Sequence, residues 1–145
     1  MNDHKELDAL IGATGCDDFR WMDPREVVVA QWVRMKCRFG CKDYSKAAAC
    51  PPYTLTLPEC ERFFGEYREG ALLHFHKQVE KPEERHAWTR TVNSGVLKLE
   101  RGVFLAGFYK AFALFVDPCN FCAECPDNPA DCSNNQIARP SLEGL

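Results

Sequence analysis

The sequence predicts an α/β fold: a small three-stranded, mostly parallel sheet with helices, and two cysteine-rich metal loops at one sheet edge. Three observations predict it. Residues 27–33 and 110–116 are nearly all apolar and rich in β-branched or aromatic side chains, as strands buried on both faces are. Segments of helical spacing lie between the strands, which is the order that βαβ units require. Eight of the nine cysteines follow the ends of the first and third predicted strands. If those strands are parallel, both cysteine groups emerge at the same carboxyl edge, where open α/β sheets place their sites.

Taken in order, residues 1–22 are polar and weakly periodic, with a short helix expected over 5–11, and are read as peripheral to a single domain of 145 residues. Asp23-Pro24-Arg25 reads as a turn into the first strand. Residues 34–52 form a cysteine-bearing loop. Thr56-Leu-Pro-Glu59 fits a capping box, with Leu57, Cys60, Phe63, Phe64 and Tyr67 following at helical spacing until Gly70. Residues 71–79 alternate as the second strand, with Leu73 and Phe75 on one face and His74 and His76 on the other, solvated one. Pro82 opens a long helix whose apolar stripe is Trp88, Val92, Val96, Leu99 and Val103, ending at Gly107. The third strand then runs into Asp117-Pro118 and the second cysteine group.

That second group carries the chemistry. Cys119-x2-Cys122-x2-Cys125 places three thiolates within seven residues, and Cys132 is the natural fourth. A structural zinc site usually draws short pairs from two separate places. Three cysteines at two-residue gaps instead wrap an object with several metal corners, the iron–sulfur cubane being the usual one. The leading cofactor is therefore iron–sulfur of the [4Fe–4S] type, with zinc on the same four thiolates as the alternative. The first group, Cys37-x3-Cys41-x8-Cys50 before Pro51-Pro52, has the form of a second ligand loop. Cys60 is the candidate fourth ligand, but it also sits on the apolar stripe of its helix, where an inert buried thiol is common. Cys16 reads as an ordinary unbound thiol.

Composition narrows the rest. The odd cysteine number, the well-patterned apolar segments and the lack of a secretory signal in Met1-Asn-Asp-His-Lys-Glu argue against a disulfide framework. They make the cytoplasm the expected location. A net charge of −3 gives no general attraction to nucleic acid or an anionic membrane. Arg34, Lys36, Arg38, Lys42 and Lys46 surround the first group, whereas Asp117, Glu124, Asp127 and Asp131 surround the second. Cations favour the reduced, more anionic state of a cluster, so the first is expected to reduce more easily. The basic loop of residues 34–46 is also the expected docking place for a redox partner protein. Electron transfer to or within a larger redox system is the expected function. A zinc-stabilised interaction module without redox role, and an enzyme with an open iron as Lewis acid, are the alternatives.

Trp32-Val-Arg-Met-Lys-Cys37-Arg-Phe-Gly-Cys41, followed by Tyr44 and Ala49-Cys50-Pro-Pro52, resembles the opening signature of a cysteine-rich family of anaerobic bacteria and archaea. Its members are described as predicted metal-binding proteins of unknown function. The resemblance continues through Leu57-Pro-Glu-Cys60, Leu99-Glu-Arg101, Ala106-Gly-Phe-Tyr-Lys-Ala-Phe-Ala-Leu114, the second cysteine group and Arg139-Pro-Ser-Leu-Glu143, covering residues 23–143. It implies metal binding through Cys37, Cys41, Cys50, Cys119, Cys122, Cys125 and Cys132, with Cys60 also at a matching position, and no known reaction. Family members continue past the Arg-Pro-Ser-x-Glu motif with a segment rich in glycine, isoleucine and aspartate. A final strand or helix is therefore expected to be missing here.

Overall fold

The computed structural model describes residues 3–47, 49–115, 119–122, 124, 126, 131 and 132. The chain folds as two compact units, one of Met1–Met22 with Gly70–Ala113, the other of Asp23–Glu69 with Leu114–Leu145.

The first unit is built on helix α1 (Asp3–Gly12), strand β1 (Asp18–Met22), strand β2 (Gly70–His74) and helix α4 (Pro82–Leu105). β1 and β2 pair antiparallel, with Trp21 opposite Ala71 and Asp18 opposite His74. The pair is closed at its end by Asp17 N–H donating to the His74 carbonyl at 2.9 Å. Across the pair His74 Nδ1 lies 3.5 Å from Asp18 Oδ1, both exposed, a contact that adds little. His76 is exposed as well, so both histidines lie on the solvated face expected of them. α1 packs on α4 with Leu7 and Ile11, one turn apart and both buried. A methyl group at Gly102 would meet Leu10 Cδ2 at 3.4 Å, which marks how closely the two helices approach.

α4 begins at Pro82 as expected, because proline at the first turn lacks only an N–H that the helix leaves unbonded anyway. Its buried face is rotated from the predicted stripe: Thr89, Val92, Asn93 and Val96 are buried, whereas Trp88, Leu99 and Val103 are half-buried. Two polar side chains thus occupy the centre of a face that hydrophobic periodicity assigns to its neighbours. Gly107 follows the helix at φ +102, a left-handed conformation that glycine adopts without cost.

The second unit holds a short 3-10 turn (Pro24–Glu26), helix α2 (Gln31–Gly40) and helix α3 (Leu57–Gly65). Asp23 caps the 3-10 turn by accepting from Arg25 N–H at 2.9 Å. α3 starts where the capping box predicts: the Thr56 N–H and hydroxyl donate to Glu59 Oε2 at 2.7 and 2.6 Å. These hydrogen bonds hold the Glu59 carboxyl below its ordinary range. The core is Cys60 and Phe64 from α3, covered by Val27, Val29, Phe63 and Leu114. Burying Phe64 alone contributes about 2–3 kcal/mol. α3 ends at Gly65, five residues before the Gly70 stop expected of it.

The predicted three-stranded, mostly parallel sheet is not formed: the sheet has two antiparallel strands, β1 and β2. Residues 27–33 do not make a strand. Val27 and Val29 turn into the Cys60–Phe64 core and Val28 outward, but among the described residues no strand pairs with them. From Gln31 onward the good helix formers Gln31, Arg34, Met35, Lys36 and Arg38 recur, and the chain enters α2 from an extended Ala30. Residues 110–115 do not form the third strand either; residue 116 lies outside the described residues. The boundary between the two units falls within this segment, after Ala113. Ala113 N–H is satisfied by Glu100 Oε2 at 2.6 Å instead of by a ladder. β1 itself carries too little apolar alternation to have been predicted. With no parallel sheet, the two cysteine groups do not share a sheet edge; the sheet belongs to the other unit. Among the described residues, no helix is long and apolar enough to cross a membrane.

Candidate metal centre

Every described cysteine except Cys16 falls in the second unit: Cys37, Cys41, Cys50, Cys60, Cys119, Cys122 and Cys132. Cys125, like Asp117, Asp127 and the Arg139-Pro-Ser-Leu-Glu143 motif, lies outside the described residues.

Cys37 sits in the last turn of α2 and Cys41 caps it, its N–H donating to the Cys37 carbonyl at 3.2 Å. Cys37 is half-buried and Cys41 exposed, both as free thiols. A helix C-terminus carries the negative end of the backbone dipole, which opposes thiolates there. Arg34, Lys36 and Arg38 on the same helix, and Lys42 beyond it, offset this. Lys46 is partly neutralised, with Nζ 3.7 Å from Asp43 Oδ1. Cys50 is held between two turns: its N–H donates to Ala47 O, and Tyr53 N–H donates to Cys50 O, both at 2.9 Å. Buried Ala49 and Pro51 flank it, and the Pro51–Pro52 bond is cis.

In the second group, Cys119 and Cys122 are half-buried and Cys132 is buried. An aromatic anchor positions the first two. Phe115, 1 % exposed, meets the Phe121 ring edge-on at a centroid distance of 5.5 Å. Phe121 lies between Cys119 and Cys122, so this contact fixes where the run begins. Glu124 and Asp131 are exposed.

Cys60 stands apart. Its side chain is 1 % exposed, and its thiol donates to Leu55 O at 3.7 Å, the geometry of a protonated sulfur. Burial pushes the thiol pKa up, while the Arg34 guanidinium, 3.9 Å from Sγ, pulls the other way. Arg34 also donates to Thr54 Oγ1 at 2.9 Å and to Leu55 O. It thereby ties α2 to the start of α3. Read from sequence, Arg34 is one of five cations around a loop; in the fold it is also a cross-link to Thr54, Leu55 and Cys60. Spacing alone gives no signal for that role. Cys16 lies in the other unit, its thiol donating to Ile11 O at 3.7 Å.

The donor set suits a thiophilic metal. The described thiols other than Cys16 are gathered into one unit but not to one point. Among the described residues no three His, Cys, Asp or Glu side chains converge closely enough to hold an ion.

No curated protein and no solved structure matches the chain. One family does, over residues 20–145: the predicted metal-binding protein family DUF2284. That span contains both cysteine groups and excludes Cys16, the same division that the second unit makes. The chain belongs to this family of predicted metal-binding proteins.

Proposed function

We propose that the second unit binds iron–sulfur clusters of the [4Fe–4S] type and passes single electrons to or within a larger redox system. The observation that carries this reading is the run Cys119-x2-Cys122-x2-Cys125 in the same unit as Cys37, Cys41 and Cys50. Cys119, Cys122, Cys125 and Cys132 would supply the corners of one cluster. Cys37, Cys41 and Cys50 would supply three corners of a second, since the burial and hydrogen bond of Cys60 favour a core role for it. A bound cluster supplies a one-electron redox centre.

The chain's own residues would set its potential. Lys36, Arg38 and Lys42 near the first group favour a reduced, more anionic centre, and Glu124 and Asp131 near the second oppose one. All five are exposed, so salt screens the difference. An anaerobic redox titration followed by electron paramagnetic resonance tests the proposal. Two reversible one-electron signals are expected, the one retained in Cys122→Ser lying at the higher potential. Protein that carries iron and sulfide but accepts no electron reversibly would contradict an electron-transfer role.

A further inference from the structure

α2 has a face that nothing described covers. Trp32, Met35 and Phe39 recur at i, i+3 and i+7, which places them on one side of the helix. They are 56 %, 47 % and 73 % exposed, and no residue of α2 is buried. A stable helix in a small unit ordinarily turns such a stripe into its core. Here the core of the unit is made by α3 and residues 27 and 29 instead.

Charge frames the stripe. Lys36 Nζ sits 4.8 Å from the centre of the Trp32 ring, and the Arg38 guanidinium sits 5.6 Å from that of Phe39. These two cations flank the apolar side chains, and Lys42 follows the helix. Among the described residues, no carboxylate pairs with Lys36, Arg38 or Lys42. α2 contains three basic residues and no acidic one, in a chain whose net charge is −3.

We infer that this face is the docking surface for a protein partner that presents an amphipathic helix whose apolar stripe is flanked by carboxylates. A tryptophan, a methionine, a phenylalanine and an arginine on one exposed face match the composition of interface centres. A second copy of this chain is a poor occupant, because it would bring the same cations against themselves. A lipid surface is a poor one too: three side chains on a ten-residue helix offer little apolar area to it. Carboxylates on the partner helix would pair with Lys36 and Arg38 while its apolar stripe packed on the rings. Cys37 lies on the same helix, so a partner seated here would also lie near the first cysteine group. Nothing in the surface itself depends on the cysteines holding metal.

The test uses the full chain and a labelled probe peptide, an amphipathic helix with a leucine stripe and glutamate elsewhere, titrated by fluorescence anisotropy. A scrambled peptide of the same composition and phosphatidylcholine–phosphatidylglycerol vesicles are the comparison arms. Binding of the amphipathic peptide is expected, weakening as salt rises. Phe39→Ser and Trp32→Ser should each weaken it by at least about ten-fold. Arg38→Glu should weaken it and flatten its salt dependence, with unchanged circular dichroism in all three variants. No binding, equal binding of the scrambled peptide, indifference to the Phe39 and Arg38 substitutions, or a preference for the vesicles would each overturn the inference.

Discussion

Replacing Cys60 by alanine separates the two roles a cysteine can play in this unit. The side chain lies in the core with Phe64, behind Val27, Val29, Phe63 and Leu114. Removing its sulfur forfeits burial worth about one methylene, roughly 0.8 kcal/mol, and leaves a small cavity among side chains that relax only in part. Leu55 O loses the thiol that donates to it at 3.7 Å, and Arg34 loses a neighbour while keeping Thr54 and Leu55. The sum is a destabilisation of about 1–2 kcal/mol. Urea unfolding of the metal-free protein, followed by circular dichroism, reads it as a lower midpoint at unchanged slope. The iron content of separately loaded protein should stay at the wild-type level. Loss of iron as large as in Cys122→Ser, with metal-free stability unchanged, would refute the core role and make Cys60 a ligand.

Cys122→Ser should abolish the iron held by the second group, whereas Cys16→Ser should leave the metal content and visible spectrum unchanged; equal loss from both would break the division between the units. Gly95 lies inside the 24-residue helix α4 with nothing within 4 Å of where a methyl would sit. Gly95→Ala should therefore stabilise the protein by about 1 kcal/mol in thermal or urea unfolding. The Glu59 pKa is lowered in the folded state by Thr56, so its contribution is present above the ordinary glutamate value and lost as pH falls through the lowered one. Acid titration of helix content should show that loss in the wild type and not in Glu59→Gln.

What could be read from the sequence depended on how local its cause is. The capping box at Thr56 and Glu59, the proline start of α4 and the glycine at 107 are set by residues within a turn of one another, and they were legible. A strand is not local. Residues 27–33 and 110–115 have the composition of buried strands but form no ladder among the described residues. The first turns helical at Gln31 and the second spans the boundary between the units. β1 forms because β2 pairs with it, despite an unpromising sequence of its own. The apolar stripe of α4 was displaced toward Thr89 and Asn93 because a buried polar pair leaves no hydrophobic signature. The cysteine groups themselves were legible as spacing, and the family match agrees with metal binding. The anchoring of the second run by Phe115 and Phe121, and the cross-link through Arg34, arise from contacts between separate segments, which spacing cannot reveal.

The most direct measurement is the metal and acid-labile sulfide content of protein expressed with ample iron and purified without oxygen. Brown protein with iron and sulfide in equal amounts is the predicted result. Colourless protein holding zinc and no sulfide would contradict the iron–sulfur reading and leave a thiolate-bound structural metal in its place.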